Sequence, residues 1–215
     1  MEFTEKISVR PKPIERPAKA REPEHGPHFR DLVQIMLCYA WSIGMLEAEL
    51  WCDIPDIAEA AALHDIGKIV MPPRLVSKNG KLTDDEREEM QQHTILGALC
   101  VDIIIPELKG ENVFDYARQI CFQHHERING CGYPMGLCGE DIPTYVQIVS
   151  LADVYDALRS TRIYRKAIPV EKAVKMIADG ECGAFAPKLF DAFEPLLEEF
   201  RKLSLILADD PHWME

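Results

Sequence analysis

The stretch Ala61-Ala62-Leu63-His64-Asp65-Ile66-Gly67-Lys68 decides how this 215-residue chain is read. His64 and Asp65 set an imidazole nitrogen beside a carboxylate oxygen, an adjacent donor pair for a divalent metal. The apolar run before them predicts a buried helix, and Gly67 is its stop signal. A carboxylate at the end of a buried helix is costly unless a cation meets it. A metal is one such cation, and the Lys68 ammonium is the other. Alone, the dipeptide reads as a capped helix end; its surroundings turn the reading toward a metal site.

Outward from it, helical signals run in both directions. Leu32, Ile35, Met36, Tyr39 and Ile43 recur at helical spacing and predict a helix from His28 to about Gly44. Asp56 is read as the cap of a second helix running into His64-Asp65. Pro72-Pro73 and Asn79-Gly80 mark a connecting loop. Thr83 followed by Glu86 is a capping box opening a third helix, with Met90, His93, Leu96, Gly97 and Cys100 on one face. After an interruption at Pro106–Gly110, a fourth helix over about 112–127 ends in His124-His125-Glu126. The Gly- and Pro-rich run from Asn129 to Gly136 is a loop. Further helices are expected over about 143–160, after Pro169, and after Pro187, the last with Leu189, Phe190, Phe193, Leu196, Leu197 and Phe200 on its apolar face. With no strand run and no internal repeat, the fold class is all-α, a bundle of about seven helices.

Composition bounds the function. At 47% hydrophobic the chain can bury one substantial core, and its net charge of −12 argues against a duplex-DNA partner, which needs a basic face. A small phosphate ligand stays admissible, because bound divalent cations reverse the local sign. The seven cysteines include no CxxC pair and read as free thiols of a reducing compartment. No apolar leader core and no run of about 18 apolar residues occurs. The expectation is a soluble, cytoplasmic protein without a membrane partner. Residues 1–22, rich in Pro, Lys, Arg and Glu, read as a tail or linker, and 23–215 as one domain.

Five of the seven histidines, at 28, 64, 93, 124 and 125, lie at predicted helix ends or on an apolar helix face, and Asp65 and Asp153 join them. Helical bundles build metal sites from side chains on facing helices in this manner. His124 and His125 diverge by about 100° on a helix, so both reach one ion only at a frayed end, which the following glycines supply. Imidazole and carboxylate ligands without thiolate favour Fe, Mn, Ni or Zn. Seven candidate ligands are too many for one ion and imply two, or three.

These residues spell out a resemblance. The chain resembles an HD-GYP domain, a branch of the HD phosphohydrolase superfamily, through His64-Asp65-Ile66-Gly67-Lys68, His93, His124-His125-Glu126-Arg127, Asn129-Gly130-Cys131-Gly132-Tyr133-Pro134, and Ala152-Asp153-Val154-Tyr155-Asp156. Arg162, Tyr164, Arg165, Lys166 and Ala167 continue it, so that it covers nearly the whole chain from about Glu24. Departures are modest: Ile128 replaces a usual aromatic residue, Asn129 a common aspartate, and Ala186 an aspartate before Pro187.

The resemblance implies that His28, His64, Asp65, His93, His124, His125 and Asp153 are metal ligands, with Asp65 bridging two ions. Glu24 matches a glutamate of members with a third metal. It further implies that Lys68 contacts a phosphate and that Asp156, Arg162 and Arg165 hold the guanine base and phosphates of the substrate. Tyr133 reads as a packing anchor for its loop rather than a catalytic group. The implied cofactor is two or three divalent ions, iron first, with Mn, Ni or Zn as alternatives. The implied activity is hydrolysis of cyclic di-GMP to pGpG, and further to GMP, by a hydroxide held between two ions. The alternative, from another class, is a weakly catalytic module that binds a cyclic dinucleotide or a signalling partner protein. A homodimer and a mixed cyclic dinucleotide as substrate both stay open.

Overall fold

The computed structural model describes residues 25–104, 112–160 and 167–196. Within them lie eight α-helices: α1 His25–Ser42, α2 Ile54–Ala61, α3 Pro73–Val76, α4 Asp84–Ile104, α5 Asn112–Gln123, α6 Thr144–Arg159, α7 Val170–Ala178 and α8 over 187–196. Three 3-10 turns occupy Ala48–Asp53, Ile66–Val70 and Gly139–Asp141. Among the described residues the only extended pairing is one antiparallel bridge between Asn129 and Cys138. The expected all-α class is the observed one, with one more helix than expected.

α6 is the centre. Its run Val146, Ile148, Val149, Leu151, Ala152 is buried to within 1% on several sides, as an all-round apolar helix must be. α1 packs on α6 and α2, α2 on α5, and α5 antiparallel beside α4. Phe29, Val33, Leu37, Ile57, Ile120 and Phe193 join these helices into one core. No helix among the described residues is long and apolar enough to cross a membrane.

The capping box forms in both halves: the Thr83 amide donates to Glu86 Oε2 (2.8 Å) and the Glu86 amide to Thr83 Oγ1 (3.3 Å). Two expected boundaries move. α2 ends at Ala61, so His64 and Asp65 lie on a turn beyond the helix rather than at its tip. The Pro72-Pro73 loop holds the short α3, with a proline at its first position.

Gly67 explains that turn. A Cβ built on it would lie 2.0 Å from the His93 carbonyl oxygen and 2.5 Å from the Gly97 amide nitrogen. The turn after His64-Asp65 therefore meets α4 backbone to backbone, at the helical turn that carries His93. Gly67→Ala must pry these apart, and the expected loss is about 3 kcal/mol. Denaturant unfolding reads it, with a midpoint like that of the unchanged protein as the contrary result.

Candidate metal centre

Asp65, His93, His124 and His125 each offer one ligand atom, and these atoms lie within 4.8 Å of one another. His93 comes from the middle of α4, His124 and His125 from the turn that ends α5, and Asp65 from the turn after α2. Asp65 divides its carboxylate. Oδ1 lies 3.4 Å from His93 Nε2 and 3.9 Å from His124 Nε2, while Oδ2 accepts from Lys68 Nζ at 2.5 Å. His64 Nε2 lies 3.5 Å from Asp65 Oδ2 and 3.5 Å from Asp153 Oδ1 on the central helix α6. Lys68 and His64 thus meet one oxygen of the Asp65 carboxylate, and His93 and His124 face the other.

The imidazoles are held in one tautomer. Nδ1 of His64 contacts the Ala61 carbonyl (2.8 Å), that of His93 the Met90 carbonyl (2.7 Å), and that of His124 the Ile120 carbonyl (3.0 Å). A carbonyl oxygen only accepts, so each Nδ1 carries a proton, and the neutral rings of His93 and His124 turn a bare Nε2 to the interior. Nε2 of His93 and His124 then face each other at 3.5 Å as two lone pairs. That arrangement is unfavourable unless a cation lies between them. His64 Nε2 is buried and makes no hydrogen bond.

The electrostatics agree. Burial pushes the His64 imidazolium down, but the Asp65 and Asp153 carboxylates outweigh it and carry His64 up to about 10. Burial opposes ionisation of Asp65, yet His64 and Lys68 hold it well below the usual carboxylate range. Burial opposes ionisation of the partly buried Asp153 as well, and His64 holds it low. His124 falls to about 3 through burial and the His64 charge, and burial also lowers His93 and His125. The centre therefore demands positive charge beside its carboxylates and keeps three imidazoles neutral and able to coordinate. The donor set fits a divalent cation.

These shifts set the acid behaviour of the metal-free protein. As pH falls below about 6.5 the unfolded chain protonates His93, His124 and His125, while burial in the folded chain makes each of them harder to protonate. The unfolded state binds more protons, so stability falls as pH drops, by about 1.4 kcal/mol per unit for each histidine fully affected. Thermal melts of chelated protein across that range should show the decline, and a flat profile would contradict it.

An HD domain family model matches residues 25–188. The chain belongs to the HD domain family. Its Gly132-Tyr133-Pro134 loop and its relatives place it in the HD-GYP branch. A probable cyclic di-GMP phosphodiesterase of Vibrio cholerae is 36% identical over 188 residues, covering 85% of this chain and 42% of the relative. A 3'3'-cGAMP-specific phosphodiesterase of the same species is 32% identical over 191 residues, covering 89% and 35%. The fold matches that of an HDG"Y"P protein from Bdellovibrio bacteriovorus with a TM-score of 0.57 and 22% identity, over 81% of this chain and 53% of that one. The chain spans under half the length of the two curated relatives.

Within this HD domain the remaining expected residues are spread out. His28 lies on α1, exposed and outside the group of four convergent ligand atoms, although the next residue, Phe29, stacks on the His64 ring at 4.7 Å. Asp156 is buried one turn beyond Asp153 and lies 3.5 Å from the Ser160 hydroxyl, which donates to it. Glu24, Arg162 and Arg165 lie outside the described residues.

Sequence reasoning missed what supports the centre from behind. Glu126 is 2% exposed, and its carboxylate accepts the amides of Met135 (2.7 Å) and Leu137 (2.9 Å). The Arg127 guanidinium donates to the His124 and Glu126 carbonyls and to Ser150 Oγ (2.7 Å) on α6, and lies over the Phe185 ring. A charged pair between two histidines and a glycine-rich loop was the available signal, since such a loop has amides and carbonyls to satisfy.

Proposed function

We propose that this HD domain is a metal-dependent phosphodiesterase that hydrolyses cyclic dinucleotides, cyclic di-GMP foremost, to the linear pGpG and onward to GMP. The observation that carries it is the convergence of three tautomer-fixed Nε2 atoms on the Asp65 carboxylate. The relatives that bear cyclic dinucleotide phosphodiesterase names supply the substrate class.

In this reading His64, Asp65, His93, His124, His125 and Asp153 are the residues that would hold two divalent ions, iron first. Glu24 and His28 are the further ligands of the set, and a third ion goes with Glu24. When bound, the metal supplies Lewis-acid chemistry, activating water and neutralising charge on the phosphoryl oxygens. The chain's own groups do the rest. Backbone carbonyls of α2, α4 and α5 keep the imidazoles aimed, and burial keeps three of them neutral. Lys68, about a quarter exposed, holds Asp65 ionised and offers its remaining donors to a phosphate oxygen. Asp156, Arg162 and Arg165 are assigned to the base and phosphates. Net reaction adds water across one phosphorus–oxygen bond, and the ribose 3′ oxygen leaves with the proton. Residues 23–215 make up the catalytic domain, with 1–22 as a tail.

Anaerobic incubation with Fe(II) or Mn(II), and with cyclic di-GMP and 3'3'-cGAMP in parallel, tests the substrate class. Cleavage of cyclic di-GMP at the higher rate is expected. Metal-loaded protein that binds the dinucleotides but cleaves neither would replace the enzyme with a binding module.

A further inference from the structure

We propose that Tyr133 is a positioning residue for the His125 imidazole, and that the buried Glu126 carboxylate is the latch that keeps Tyr133 there. The inference deepens the metal-centre reading and rests on it.

His125 differs from its three companions. Each of those donates through Nδ1 to a carbonyl of its own helix or turn. Among the described residues the His125 ring is instead held by ring contacts: Tyr133 at 4.7 Å and 32°, His124 at 4.1 Å, and His93 at 5.1 Å. His124 and His93 are themselves fixed, so Tyr133 is the adjustable wall. Its ring packs tilted against His125 and reaches His93 edge-on at 6.3 Å. An imidazole with no hydrogen bond to set its torsion takes its orientation from the planes packed against it.

Tyr133 is in turn fixed by its loop. The Tyr133 amide donates to the His125 carbonyl at 3.2 Å. A Cβ on Gly132 would sit 2.5 Å from Glu126 Cα, so the loop crosses flush over Glu126 and only glycine permits it. Beyond Pro134, both oxygens of the Glu126 carboxylate take the next amides, Met135 and Leu137. The loop is thus pinned on both sides of Tyr133, and the Glu126 side chain makes the pins on the far side. Charge-assisted bonds of this kind are the strong ones, and their loss leaves two amides unpaired. The stacking, not the phenol hydroxyl, carries the effect.

Histidine-labelled, metal-free protein examined by NMR decides the positioning itself. Tyr133→Phe should leave all four imidazoles at their original shifts. Tyr133→Leu and Glu126→Gln should move or broaden His125 while His64, His93 and His124 stay. An unmoved His125 in both variants overturns the proposal, as does equal movement of all four rings, which would make the loop a general support. Equilibrium dialysis with Mn(II) then reads the consequence. Tyr133→Leu should bind about tenfold more weakly, with Tyr133→Phe unchanged. Equal affinity in Tyr133→Leu overturns the link to the metal. Failure of the unchanged protein to take up Mn(II) contradicts the metal-centre reading instead, and the NMR result still decides whether Tyr133 orients His125.

Discussion

Asp65→Asn is expected to weaken metal binding by about a thousandfold and to abolish measurable hydrolysis of cyclic di-GMP. Asparagine keeps the shape of the side chain, so the turn packed on α4 through Gly67 is undisturbed. What disappears is the charge. Asp65 Oδ1 faces both the His93 and His124 nitrogens, and Oδ2 lies beside His64. Unit charges about 4 Å apart at an effective dielectric near 20 attract by about 4 kcal/mol, which corresponds to roughly a thousandfold in an equilibrium constant. A divalent ion gains more than a unit charge, so the figure is a lower bound. Lys68 loses its partner but is partly exposed and can be hydrated. Mn(II) dialysis and product chromatography on the same preparation check both halves. Near-normal metal affinity in this variant would remove Asp65 from the centre.

Metal removal is the second large effect. An ion that binds only the folded chain stabilises it by about 2.7 kcal/mol at a hundred times its dissociation constant. For a domain of this size that corresponds to a rise of about 5–10 °C in melting temperature. The site explains why the chain gains by it. Without metal, the Nε2 lone pairs of His93 and His124 face each other at 3.5 Å. Chelation should lower the melting temperature by that amount, and Fe(II) or Mn(II) should restore it. Equal melting with and without metal would mean that these atoms are satisfied by the protein alone.

The elements whose signals are local were legible in the sequence. The Thr83–Glu86 capping box stands as the spacing predicts, whereas α5 stops at Gln123, short of the expected end near 127, and leaves His124 and His125 on the turn after it. Asp56 as a cap did not survive: α2 begins at Ile54, with Asp53 at the cap position and no side-chain cap bond. The reason lies far along the chain, because the Asp53 carboxylate is taken by Asn112 (3.0 Å) and Tyr116 (2.7 Å) of α5. The early end of α2 likewise answers to α4, which Gly67 must touch. Of the candidate site, the residue types and their helices were legible. The carbonyls that fix each tautomer and the grip of Glu126 on the Met135 and Leu137 amides are tertiary contacts, and no spacing in the sequence announces them.

The most direct test is turnover of cyclic di-GMP by anaerobically purified protein before chelation, after chelation, and after return of Fe(II) or Mn(II), with metal content measured at each stage. The expected result is pGpG or GMP with two or more ions per chain, loss of product with the metal, and recovery with its return. Hydrolysis that persists in metal-free protein, or a chain that takes up no metal at all, would contradict it.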